Sequence, residues 1–390
     1  MRFNSSLIDV QDPPIAEVKS WLQKRTCPSK KPLIDCCQAM PNYPPAQQLT
    51  EFLSERVKDA SVSRYTVDEG ILEVRQSVCS WYERRYGTAL SAEQVCMTVG
   101  ASQAFWLAIL STCRTGDEVI IASPAYFDHA MALRALGIRM VWVPYEDLGN
   151  GKVNVKDFAD RISAKTRALL LVTPSNPTGL VFAPETLRDF FDLANRHNLA
   201  LILDETYNAF VPYESTPHNL FNIPNWHMTL IHLASFGKTF ALTGYRAGAL
   251  IASPELVRHA LKIQDTMAVC QPHLTQLAVQ FACNCLDDWL DEKVSMMAQR
   301  HQRFREIWDQ SNLSFECVSS GSFFAWVRHP WKSLDSRSAA QRVLDEADLI
   351  CLPGEAFGPG LKSYLRLAFG NLTTEQVPEA VDRFKYLSNR

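Results

Sequence analysis

The side chains able to do chemistry in this 390-residue sequence fall directly after apolar, strand-like runs. Residues 229–234 lead into Ser235-Phe236-Gly237-Lys238, and Arg246 follows eight positions after the lysine. A lysine delivered between small residues at the end of an apolar run is placed for partial burial. Burial lowers its pKa and frees a neutral amine that can attack a carbonyl and form an imine. Residues 199–203 run into Asp204-Glu205-Thr206-Tyr207. An acid abutting apolar strand residues is costly unless it meets a cation. After Val172, two prolines and a glycine in Thr173-Pro174-Ser175-Asn176-Pro177-Thr178-Gly179 hold one asparagine amide in a rigid turn. After Val99, the small residues Gly100-Ala101-Ser102 open a helix whose free backbone N–H groups can cradle an anion. After Ala122, Ser123-Pro124-Ala125-Tyr126 brings an aromatic face to the same rim. Each feature alone also reads as a surface lysine, a helix cap, a rigid turn or a packing tyrosine. Their joint placement carries the argument.

The elements that must position these residues alternate. Residues 95–99, 118–122, 139–143, 168–172, 199–203 and 230–234 read as strands, with helical patterns over 102–113, 125–136 and 184–197 between them. Strands apolar throughout and separated by amphipathic helices predict a buried, mostly parallel sheet, and ligands of such sheets sit beyond the carboxyl ends of the strands. From about residue 276 the pattern changes to a long helical segment over 276–308, a strand over 321–327, a helix over 336–347 and an apolar run over 364–369. The chain therefore divides into an N-terminal arm that forms part of the small domain (1–45), a large α/β domain (46–275) and a smaller α+β domain (276–390). The arm carries Pro41-Asn42-Tyr43-Pro44-Pro45, whose prolines favour an extended run over another surface.

Composition narrows the function. Apolar residues make up 47% and charged residues 21%, with a net charge of −3, so there is no basic footprint for nucleic acid or membrane. No apolar run approaches the roughly 20 residues that span a bilayer, and the N-terminus lacks a leader's apolar core, which predicts a soluble, cytoplasmic protein. The 11 cysteines lack metal-site or redox-motif spacing and read as reduced thiols, with no metal site expected.

An anion cradle with a serine and an arginine, a stacking ring, an amide donor, a carboxylate, a phenol and an amine are together the groups that pyridoxal 5′-phosphate requires. The chain resembles the fold type I, class I/II pyridoxal-phosphate aminotransferases from about Asp35 to its end. The resemblance is carried by Asn176-Pro177-Thr178-Gly179, by Asp204 with Tyr207, and by Ser235 and Lys238 with Arg246. It implies that Lys238 is the imine-forming residue, that Asp204 partners the ring nitrogen, and that Asn176 and Tyr207 donate to the ring hydroxyl. It further implies that Tyr126 stacks on the ring, and that backbone at Ala101 and Ser102, with Ser235 and Arg246, holds the phosphate. Arg366 is implied as the clamp on the substrate carboxylate, with Asn176 and Ala39 on the substrate side. Tyr65 is implied to reach the phosphate of a neighbouring subunit, hence a homodimer. Two positions depart from the common pattern: Ala39 stands where glycine is frequent, and Gly237 where serine is frequent.

The implied activity is transfer of the α-amino group of an amino acid to a 2-oxo acid by a ping-pong route. The same groups also serve elimination, replacement, cyclisation or oxidation at Cβ or Cγ, including on an arginine-derived amino acid. A cofactor-binding transcription regulator would need a DNA-binding domain ahead of the resemblance, which begins near residue 35. Gln38 to Tyr43, Phe127, Asp128 and His129, and a partner's residue near His273, are expected to wall the side-chain pocket.

Overall fold

The strands in the middle of the chain, apart from the edge strand Arg139–Pro144, are buried on both faces. In the computed structural model, which describes residues 1–25, 31–211 and 216–390, β1 (Ile34–Asp35) lies in the arm. β2 (Val95–Val99), β3 (Glu118–Ser123), β4 (Arg139–Pro144), β5 (Thr166–Val172), β6 (Ala200–Asp204), β7 (Leu230–Ala234) and β8 (Ala247–Ile251) form one sheet, ordered β2-β8-β7-β6-β5-β3-β4. β8 runs antiparallel to both neighbours, and every other adjacent pair is parallel. Then come β9 (Glu316–Gly321), β10 (Phe324–Arg328), β11 (Leu349–Ile350), β12 (Leu352–Pro353) and β13 (Tyr364–Leu367). An antiparallel sheet, β12-β13-β10-β9, belongs to the smaller unit, and β11 pairs in parallel with β1 of the arm.

The helix Pro184–Arg196 illustrates why these segments fold as they do. Pro184 occupies its first turn, where no backbone donor is missed, and Leu187, Phe190, Phe191 and Ala194 recur on one buried stripe. The helix Ser336–Ala347 starts where the Asp335 carboxylate accepts the Ser338 N–H at 2.8 Å.

Three expectations change. The run 321–327 is not one strand but the end of β9, a turn with Ser322 at φ 49°, and β10. The long helical segment over 276–308 is two helices, His273–Cys285 and Asp287–Gln310, broken at Leu286. The first of them carries Ala278, Val279, Ala282 and Cys283 into the core beneath the large sheet, so the division expected at residues 275/276 falls inside a helix of that core. β8 is the strand that the sequence reading lacks; its Ala-Gly-Ala start carries little of the β-branched signal.

The arm ties the two units together. In its helix Pro14–Lys24, Val18 packs in one cluster with Phe127 of the large unit and Trp326 and Phe357 of the small one. The ten described cysteines are free, and Cys27 lies outside the described residues. No helix among the described residues is long and apolar enough to cross a membrane.

Candidate active site

β2, β3, β5, β6 and β7 end at one edge of the large sheet, so the loops after them converge there. A cavity of about 500 Å³ opens at that edge, closed on its far side by the arm and by β13. Its walls include Ala39, Ala101, Ser102, Tyr126, Asn176, Asp204, Tyr207, Ser235, Lys238, Arg246 and Arg366. Of the residues singled out from sequence, Tyr65 lies elsewhere, 82% exposed on the surface of the single chain, and Pro41, Asn42 and Tyr43, expected on the side-chain wall, are not among the cavity walls; the Tyr43 ring instead meets Trp289 edge-on at 5.8 Å.

Lys238 sits in a one-turn helix, Phe236–Thr239, straight after β7. Its Nζ donates to the Ala39 carbonyl of the arm and lies 5.9 Å from the centre of the Tyr207 ring. Burial first, then the positive charges of Arg246 and Arg366, bring its pKa down to about 8.

Asp204, at the end of β6, is buried. Its Oδ1 accepts the Thr206 N–H at 2.9 Å, and its Oδ2 lies 3.2 Å from His129 Nε2. Burial alone pushes this carboxyl up, but the His129 hydrogen bond and charge, with the Thr206 contacts, outweigh it and hold the group below the ordinary carboxylate range. His129 is thus the partner that the sequence demands for Asp204. It was expected on the side-chain wall and does line the cavity, where its ring also packs on Phe105 at 4.1 Å between centroids. The signal lay in the sequence: His129 comes three residues after Tyr126 at a helix start, a spacing that puts both on one face.

The other end of the cavity is built for an anion. The helix Gly100–Thr112 begins without any side-chain cap, leaving its first N–H groups free. Gly100 has φ +77°, and a Cβ there would lie 2.7 Å from Arg246 Nη2, so the guanidinium rests directly on the start of the helix. Opposite, Arg366 of β13 donates through Nη1 to Asn176 Oδ1 at 3.1 Å and through Nη2 to the Cys37 carbonyl, while its Nε is buried with no hydrogen-bond partner among the described residues. That guanidinium stacks over Phe324 at 5.0 Å and Phe357 at 5.5 Å. The sequence reading also lacked Ile15, Trp106, Thr206 and Thr243 among the cavity walls.

The family profile described as aminotransferase class I and II matches residues 31–384. The chain belongs to the class I and II aminotransferases. Within this family it is 28% identical over 349 residues to aromatic-amino-acid aminotransferase 2 of Thermococcus litoralis, covering 88% of this chain and 89% of that one. It is 30% identical over 342 residues to the putative aminotransferase YugH of Bacillus subtilis, covering 84% and 86%. An aspartate aminotransferase of Sulfolobus acidocaldarius is 27% identical over 365 residues, covering 90% and 88%. Among solved structures, the aromatic aminotransferase of Pyrococcus horikoshii superposes with a TM-score of 0.84 at 25% identity, over 95% of this chain and 98% of that one. The fold is that of the fold type I enzymes, and this aminotransferase uses the cofactor of its family, pyridoxal 5′-phosphate.

The residues present fit that group. The uncapped helix start with Arg246 suits a phosphate. An amine titrating at about 8 suits imine formation. The unpartnered Arg366 Nε is a buried donor waiting for an acceptor, as a substrate carboxylate supplies.

Proposed function

We propose that this aminotransferase moves the α-amino group of an amino acid to a 2-oxo acid with Lys238 as the proton-transfer group. The observation that carries the reading is one cavity gathering a low-pKa lysine, a carboxylate–histidine pair and two arginines at opposite ends.

Pyridoxal phosphate, when bound, supplies the electron sink that lets the substrate's Cα–H bond break and carries the amino group between the two half-reactions. Lys238, neutral above about pH 8 in the cofactor-free site, is the base that takes the Cα proton and returns it. Asp204, kept ionised by His129 and Thr206, holds a proton at the ring nitrogen. Tyr207 and Asn176 donate to the ring hydroxyl, and Tyr126 covers one ring face. The N–H groups of Ala101 and Ser102, the Ser235 hydroxyl and the Arg246 guanidinium hold the phosphate. Arg366, with Asn176 beside it, orients the substrate by its α-carboxylate, and Ala39 bounds that side. The reading includes a homodimer in which Tyr65 reaches the neighbouring site; its 82% exposure is what an interface donor has in a lone chain. Free thiols throughout the described residues support a reducing, cytoplasmic setting.

The aminotransferase names of the relatives favour transamination over elimination, replacement, cyclisation or oxidation. The deciding experiment incubates the holoenzyme with single amino acids and follows the cofactor spectrum. Conversion to the pyridoxamine form, with release of a 2-oxo acid, is expected, and Lys238→Ala should abolish both. Product formation while the cofactor stays an aldehyde would point to the other chemistries.

A further inference from the structure

The charges lining the cavity are unevenly employed. Arg246 rests on the helix start and Arg366 is tied to Asn176 and Cys37, while Asp204 is paired with His129. The remaining charged side chain on the wall besides Lys238 is Asp128, in the first turn of the helix Phe127–Ala135. Its Oδ2 accepts the Tyr126 hydroxyl at 2.6 Å, and among the described residues no cation pairs with it. The hydroxyl pins the carboxylate at the tip of the ring that covers the cofactor. Burial first, and then this negative charge and the hydrogen bond to it, raise the Tyr126 hydroxyl. The same cavity is lined by Ile15, Met40, Trp106 and Phe127, apolar side chains suited to a methylene chain.

We propose that Asp128, pinned by Tyr126, is the counter-charge for the substrate's side chain and selects an amino acid whose side chain ends in a cation. The inference rests on the transaminase reading, which puts the α-carboxylate on Arg366 and so leaves the side chain to this wall. An aspartate or glutamate side chain would bring like charge towards Asp128 with no free cation among the described residues of the cavity wall to offset it. A lysine-like side chain lays its stem on the apolar wall and its ammonium on the open Asp128 oxygen, a charge-assisted bond.

Three carboxylates of similar length that lack the α-amino group separate this proposal from the transaminase reading, because they offer Arg366 a carboxylate and the side-chain wall a chain end with no α-amino group to transfer. They are 6-aminohexanoate, heptanoate and hexanedioate, titrated against the holoenzyme by calorimetry. The expected order is 6-aminohexanoate over heptanoate by about 10- to 100-fold, with hexanedioate weakest. In Asp128→Asn the 6-aminohexanoate preference over heptanoate should collapse to within a few-fold. Asp128→Lys should move the preference to hexanedioate, which checks the site with a second variant. Equal affinities in the unmodified enzyme, tightest binding of hexanedioate, or an order unchanged in both variants would overturn the proposal. The amino-acid incubations above stand or fall separately, since conversion to the pyridoxamine form by any amino acid upholds transamination whatever Asp128 selects.

Discussion

In the proposed reading Lys238 moves the proton, and its surroundings set when it can act. Burial and two nearby arginines disfavour its ammonium, so its folded pKa is about 8 against an ordinary 10.5. The rate of covalent cofactor attachment to the cofactor-free protein should therefore rise with pH around a midpoint near 8. Arg366→Leu removes one of the charges and should shift that midpoint upward, though burial, the larger cause, keeps it below 10.5. The same group contributes to stability with a definite sign. Between about 8 and 10.5 the unfolded chain holds a proton that the folded chain has released, so stability rises with pH across that window. Urea titrations of the cofactor-free protein should show it gaining on Lys238→Met from pH 8 to 10. A gap that stays constant over that range would contradict a buried, depressed lysine.

At the scale of elements, the anion end of the cavity depends on how closely β8 approaches the start of the helix Gly100–Thr112. A Cβ on Gly248 would stand 2.4 Å from the Gly100 carbonyl carbon and 2.7 Å from the Ala101 nitrogen. Backbone atoms have little room to yield, so Gly248→Ala must push the helix start away from β8. The expected result is a loss of about 1–3 kcal/mol in stability together with weaker retention of the cofactor phosphate, read by thermal denaturation and by equilibrium dialysis of pyridoxal phosphate. Unchanged affinity would mean that the helix start does not hold the phosphate. This contact also explains what was legible in the chain and what was not. β3, β5, β6 and β7 announce themselves as apolar runs ending in Tyr126, Asn176, Asp204 and Lys238, so the cavity floor could be assembled from sequence alone. β8 could not, because the need for small residues against Gly100 erased the β signal that would have marked it. The hairpin at Ser322 was hidden for a related reason: β9 is half-exposed, and β10 carried all the apolar character of the pair. The pairing of His129 with Asp204 was not legible because the two lie 75 positions apart, a contact that only tertiary packing creates.

For the whole molecule, the single chain leaves Tyr65 on its surface, beside the exposed Val67 and Leu72. If two chains share their sites, a chain with Lys238→Ala still donates Tyr65 to its neighbour, and a chain with Tyr65→Ala still has its own Lys238. Each variant alone should be impaired. Unfolding and refolding the two together should restore activity at one site of each mixed dimer, about a quarter of the wild-type level for random pairing when Tyr65→Ala is itself inactive, on the order of mass action. A mixture no more active than the average of its parts would remove Tyr65 from the neighbouring site.

Two of the cations facing the cavity, Lys238 and Arg366, give hydrogen bonds to carbonyls of one short strip of the arm, at Ala39 and Cys37. The strip therefore acts as an intramolecular competitor, present at a fixed local concentration whatever the solution holds. Any anion or carbonyl compound that engages both cations displaces a piece of the chain, and its apparent affinity is lowered by the fraction of time the strip holds them. The occupant and the arm thus read each other: ligands loosen the strip, and changes that loosen the strip tighten ligands.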